Sequence, residues 1–186
     1  MQIEETALPG LLVLTPARFG DARGFFSESW NRKTLESKGI TLDFVQDNHS
    51  VSAAVNTLRG LHFQAPPHAQ AKLVRCGRGR IFDVAVDIRR GSPTCGNWFG
   101  LELSAENGKQ LLIPAGFLHG FATREPDSEI IYKCSDYYAP ECDGAVLWSS
   151  CGIDWGLTGE PVLSAKDAAA VPFDTFKSPF TWEGAA

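Results

Sequence analysis

Apolar and polar residues alternate along much of this chain with a period of two. From Arg80 to Ile88, residues Phe82, Val84, Val86 and Ile88 fall on one side, and Asp83, Ala85 and Asp87 on the other. Successive side chains of an extended backbone point to opposite faces, so this pattern predicts a half-buried antiparallel strand. Similar patterns predict strands at 24–30, 44–48, 57–64, 72–76, 98–103, 110–113, 118–123 and 129–135, separated by turns rich in Gly and Pro. So many short strands imply an all-β sandwich or barrel. Helical signals are sparse. Asn31 is placed to cap a short helix running to Ser37 before Gly39, and Ser164 to Asp167 reads as a capping box opening a short Ala-rich turn stopped by Pro172. Both helices should be peripheral.

A length of 186 residues suits one domain, 1–186, with a full core, and is short for two. Apolar residues at 44% and charged residues at 21% disfavour disorder. The net charge of −5 argues against broad nucleic-acid binding or docking on an anionic membrane, so an anionic ligand must meet a local basic cluster. Apolar runs such as Leu11 to Leu14 are far too short to cross a bilayer, and Met1 to Glu5 is acidic where a secretory signal would be basic. The expectation is a cytoplasmic protein. Five scattered cysteines with no C-x-x-C pair support neither a disulfide framework nor a thiolate zinc site, and read as reduced bystanders.

Candidate chemistry centres on histidine, whose ordinary pKa lets it accept and return protons near neutrality. His62 lies in Leu58 to Gln64 (LRGLHFQ), followed after Pro66-Pro67 by Gln70 to Arg75 (QAKLVR). If the two segments form adjacent strands, these carry Arg59, His62, Lys72 and Arg75. Such a cluster in an acidic protein reads either as a phosphate site or as a solvent-facing edge pair. Strict alternation sends Arg59 and His62 to opposite faces, so both reach one pocket only if the strand bulges or bends, which Gly60 would allow. Further on, Gly108, Pro114, Gly116 and His119 match G-x5-P-x-G-x2-H, half of the cupin pattern. The H-x-H of metal-binding cupins is absent and the earlier segment offers His62, Gln64 and His68 instead, which leaves a metal site incomplete.

Six blocks in order, Phe19 to Phe26 (FGDARGFF), Gln46 to Ser50 (QDNHS), Leu58 to Gln64, Asp83 to Asp87 (DVAVD), Pro114 to Phe121 (PAGFLHGF) and Leu163 to Asp167 (LSAKD), together resemble the dTDP-4-dehydrorhamnose 3,5-epimerases. The resemblance implies a metal-free, cofactor-free cupin jelly roll with a few short peripheral helices, forming a homodimer. Its substrate would be dTDP-4-keto-6-deoxy-D-glucose, on the route to dTDP-L-rhamnose, with both C3 and C5 inverted. Relatives that invert only C3 share these motifs, and a metal-dependent cupin or a non-catalytic sugar-binding cupin are the other readings.

By the same resemblance His62 is the base, Asp167 its carboxylate partner, Lys72 the group facing the C4 oxygen and Tyr132 the acid on the opposite sugar face. His119 lines the sugar pocket. Arg23, Glu28, Gln46, Asn48, Arg59 and Lys166 match nucleotide contacts, Phe19 and Tyr138 flank the thymine, and Asp143 stands where Glu is usual. Phe19, Arg23 and Glu28 serve either their own or the partner's site. On residue pattern alone, His62 reads as a hydrogen-bonded core histidine, Asp167 also as part of a helix cap, Lys72 as a solvated lysine and Tyr132 as a half-buried strand aromatic.

Overall fold

The computed structural model describes residues 1–184. Its strands are β1 (Gln2–Glu5), β2 (Leu12–Thr15), β3 (Phe19–Asp21), β4 (Gly24–Phe26), β5 (Gln46–Ser52), β6 (Leu58–Gln64), β7 (Lys72–Arg78), β8 (Arg80–Asp87), β9 (Trp98–Ser104), β10 (Gln110–Ile113), β11 (Phe117–Thr123), β12 (Ser128–Cys134) and β13 (Asp143–Ala145). Two short helices, α1 (Arg32–Glu36) and α2 (Ala165–Ala168), join them. One antiparallel sheet runs β1-β2-β10-β7-β12-β5 and a second runs β13-β6-β11-β8-β9, while β3 and β4 form a separate hairpin. The all-β expectation is met.

The two sheets meet face to face. Val13, Val74, Leu111 and Ile130 of the first pack against Ile81, Ala85, Leu103, Phe117 and Phe121 of the second. Each outer face has its own cover. Leu35 of α1, with Trp30 and Phe44, lies over Leu14, Leu73 and Leu112 of the first sheet. Val146, Trp155 and Phe180 of the C-terminal segment lie over Leu58, Leu61, Val84, Val86, Leu118 and Ala122 of the second. Each fully buried aliphatic side chain among these contributes about 1.5–3 kcal/mol.

That C-terminal cover corrects one expectation. Residues 83–87 of β8 are fully buried on both faces, where the alternation read as a half-buried strand; the non-aliphatic face carries Asp83 and Asp87 into the interior instead of into water. Boundaries also move. The strand expected at 24–30 stops at Phe26, and the one at 44–48 becomes Gln46–Ser52 because Phe44 turns away to cover the first sheet. Strands β1, β2, β3 and β13 are three or four residues long, too short to carry a readable alternation. Asn31 caps α1 as expected, its side chain accepting from the Thr34 N–H.

Candidate active site

The segments carrying Arg59 and Lys72 are not neighbours. β6 belongs to the second sheet and β7 to the first, so they face each other across the interior and the basic residues come from opposite walls. Arg75 leaves the cluster: it follows Leu73 onto the outer face of the first sheet, beside Trp30 and Lys133. Neither segment is at a sheet edge, which removes the edge-pair reading.

The bulge required of β6 is present. His119 pairs with His62 and Phe121 with Arg59, so three steps on β6 span two on β11. Gly60 has φ of 134°, a conformation open to glycine because it lacks Cβ. A Cβ there would stand 2.6 Å from the Gly120 Cα. The extra residue turns Leu61 into the outer core and brings Arg59 and His62 to the same cavity, of about 410 Å3, lined also by Lys72, His119, Tyr132 and Asp167.

Within that cavity His62 Nε2 donates to Asp167 Oδ1 at 2.5 Å. Asp167 is 2% exposed and sits on α2, where its backbone N–H donates to the Ser164 hydroxyl at 3.1 Å. Half of the expected capping box therefore forms, while the carboxylate that would complete it is turned to His62. Burial pushes the His62 pKa down, and the neighbouring Asp167 carboxylate opposes that shift without cancelling it. A second imidazole is held in the same way: His119 Nε2 donates to buried Asp83 Oδ1 at 2.8 Å.

The opposite wall belongs to the first sheet. Lys72 on β7 pairs in register with Cys134 on β12, and Tyr132 lies two residues back on the same inner face. Burial lowers the Lys72 pKa and raises that of the Tyr132 phenol. Asn48, on the edge strand β5 opposite Tyr132, donates to the Cys134 sulfur at 3.6 Å and accepts from Gln46 Nε2 at 3.0 Å.

An adjoining cavity of about 250 Å3 shares His62, Lys72, Tyr132 and Lys166 with the first and extends it to Gln46, Asn48, Tyr138 and Asp143. Asp143 is ion-paired with Lys166 and accepts from the Tyr138 hydroxyl at 3.2 Å. Arg59 donates to the Ser52 hydroxyl and the Val51 carbonyl, both at 3.2 Å. Eleven of the fourteen expected site residues thus line these two adjoining cavities. Phe19, Arg23 and Glu28 do not. They belong to the β3–β4 hairpin and the chain just beyond it, where Arg23 pairs with Asp21 and Glu28 accepts from Asn31. The sequence reading missed Asp83, which is buried with Ile81 and Ala85 on the inner face of β8 and bonds His119, and Ser50 and Phe121, which share the cavity lining. Among the described residues no group of three or more His, Cys, Asp or Glu side chains is placed to hold a metal ion.

Residues 5–175 match the family model described as dTDP-4-dehydrorhamnose 3,5-epimerase. The chain belongs to that family. It is 54% identical over 177 residues to the dTDP-4-dehydrorhamnose 3,5-epimerase of Salmonella typhimurium LT2, covering 94% of this chain and 96% of that one. Among solved structures, the dTDP-6-deoxy-D-glucose-3,5-epimerase of Legionella pneumophila Philadelphia 1, in complex with dTDP-4-keto-L-rhamnose, superposes with a TM-score of 0.94. It is 43% identical, over 98% of this chain and 99% of that chain. The dTDP-4-dehydrorhamnose 3,5-epimerase of Bacillus anthracis Ames, with TDP and PPi bound, gives a TM-score of 0.89 at 47% identity, over 92% of this chain and 98% of that chain. The epimerase carries the His62–Asp167 pair, the half-buried Lys72 and the Tyr132 phenol in one cavity, and no helix among its described residues is long and apolar enough to cross a membrane.

Proposed function

We propose that this epimerase inverts C3 and C5 of dTDP-4-keto-6-deoxy-D-glucose, giving dTDP-4-keto-L-rhamnose for dTDP-L-rhamnose synthesis. One observation carries the mechanism: His62 and Tyr132 line the same cavity from opposite sheets. Carbons 3 and 5 both flank the C4 carbonyl, so loss of either proton leaves an enolate, and inversion needs a base on one face and an acid on the other.

His62 takes the C–H proton through the ring nitrogen that Asp167 leaves free, and Asp167 stabilises the imidazolium formed. Lys72 offsets the charge that gathers on the C4 oxygen, an electrostatic contribution that is strongest where water is excluded. Tyr132 O–H delivers a proton to the opposite face. Each inversion leaves His62 with one proton more and Tyr132 with one fewer, a balance restored by exchange with solvent. His119 lines the sugar pocket. Arg59 and Lys166 meet the diphosphate, together with Gln46, Asn48 and Asp143, and Tyr138 stacks on the thymine. No metal or other cofactor takes part: the H-x-H of metal-binding cupins is absent from the sequence, and the His62 ring nitrogen that Asp167 leaves free serves the substrate proton.

The enzyme works as a cytoplasmic homodimer of single-domain chains in which Phe19, Arg23 and Glu28 complete the partner's site. The hairpin's exposed Phe19, Phe25 and Phe26 support that reading, since apolar rings gathered on one projection mark a contact surface.

The test is incubation with the dTDP-keto sugar in deuterated water, followed by NMR. Label should enter at C3 and at C5 without added cofactor and in the presence of a chelator. Activity lost on chelation and restored by a divalent cation would overturn the metal-free mechanism, and label confined to C3 would make this a C3-only epimerase.

A further inference from the structure

The segment that leaves β12, residues 135–139, has no strand to pair with, yet it carries Tyr138 to the mouth of the cavity. Four of its backbone groups are met by glutamine side chains. Gln70 Nε2 donates to the Asp136 carbonyl at 2.8 Å, and Gln64 Nε2 donates to the Tyr137 carbonyl at 2.9 Å. Gln46 Oε1 accepts from the Tyr138 N–H at 2.9 Å, and Gln64 Oε1 accepts from the Ala139 N–H at 3.0 Å. Gln64 is 5% exposed and grips the chain on both sides of Tyr138; its Nε2 also reaches the His68 carbonyl. An amide carries a donor and an acceptor on one planar group, so a single side chain can meet a carbonyl and an N–H at once.

Tyr138 itself has little else to fix it. Its ring is more than half exposed, and its one side-chain hydrogen bond goes to Asp143, which also pairs with Lys166. The ring's place at the cavity mouth is therefore set by its backbone, and the backbone is set by the glutamines. Because His62 lies two residues before Gln64 on the same strand, one strand places both the catalytic imidazole and the support of the aromatic wall.

We propose that Gln64 is a positioning residue for nucleobase recognition: it holds the 137–139 backbone so that the Tyr138 ring is pre-set as a platform for the pyrimidine. The inference rests on Tyr138 stacking against thymine, as proposed above. Fixing a contact group before binding removes the ordering cost that a mobile one would incur on association. Gln70 makes a smaller contribution of the same kind through Asp136.

The test is a double-mutant cycle of Gln64→Leu and Tyr138→Ala, with dTDP affinity measured by calorimetry and inorganic pyrophosphate as a second probe. Gln64→Leu should weaken dTDP roughly tenfold, the usual effect of losing a buried amide's hydrogen bonds, and raise KM with a much smaller fall in kcat. Pyrophosphate affinity should hold. In the Tyr138→Ala background the same change should cost almost nothing further, because the group it positions is gone. Full additivity of the two losses, or an equal loss for pyrophosphate, overturns the positioning role while leaving the stacking proposal standing. Wild-type dTDP affinity in Tyr138→Ala overturns both. If Gln64→Leu does not fold, Gln70→Leu runs through the same cycle, with a smaller loss expected that again vanishes without Tyr138.

Discussion

Asp167 serves the helix and His62 with different atoms. Its N–H caps α2 through Ser164, and its carboxylate holds His62, so the cap and the dyad, which read as competing explanations in the sequence, coexist. The pH dependence follows from that contact. The base must be neutral to accept a proton, and burial places the His62 pKa below its usual 6.5, so the acid limb of kcat/KM should lie below pH 6.5. Asp167→Asn keeps an oxygen that can accept from Nε2–H but removes the charge that raises this pKa; the limb should move still lower even as kcat falls. An upward move in the pH–rate profile would show that Asp167 does not act on His62. Tyr132→Phe separates removal of the proton from its return. His62 can still take a proton and give it back on the same face, so deuterium exchange should persist while inversion falls by roughly 10²–10⁴-fold, the usual worth of a general acid. Equal losses in the two NMR assays would mean that another group is the acid. Residue types and spacing alone left His62 as a core histidine and Tyr132 as a strand aromatic; the motif resemblance supplied the roles proposed for them, because a catalytic side chain on a strand has no periodicity of its own.

Strand β6 shows where local pattern runs out. Alternation put Arg59 and His62 on opposite faces, and Gly60 marked the place where the rule had to fail. The failure itself depends on Gly120 of β11 lying against it, a contact 60 residues away that no window on β6 contains. Gly60→Ala should therefore destabilise by about 1–3 kcal/mol from backbone strain alone, and by more through the clash with Gly120. Thermal unfolding should register a drop of roughly 2–4 °C per kcal/mol, with lower activity in what remains folded. By contrast, Ser164→Ala removes only a cap, which costs about 1 kcal/mol. Long alternating strands such as β8 and β11 were legible because five or more consecutive positions carry the signal. Three-residue strands were not, and neither was the assignment of β6 and β7 to different sheets, since a two-proline connection is compatible with either a hairpin or a crossing between layers.

At the scale of the whole molecule, the hairpin and the cavity bear on one question. Arg23 is exposed on the hairpin and Arg59 lines the cavity; if both grip the diphosphate in the proposed dimer, neutralising either should weaken dTDP by about 1.5–3 kcal/mol, as for other charge-assisted contacts. Mixing then reports whose site the hairpin serves. Co-refolded His62→Asn and Arg23→Ala chains should regain activity at low substrate that neither has alone, because one site of each mixed dimer receives an intact hairpin from its partner. No gain on mixing would place Arg23 in its own site. The His62–Asp167 pair has a different reach: its members are 105 positions apart. A ribosome adding about 5–20 residues per second finishes β6 some 5–20 s before α2 emerges, so a nascent chain has the imidazole long before it has the carboxylate that orients it. In the proposed mechanism, competence to abstract a proton is thus acquired late in biosynthesis, and a chain released early retains His62 but lacks the carboxylate that would orient it.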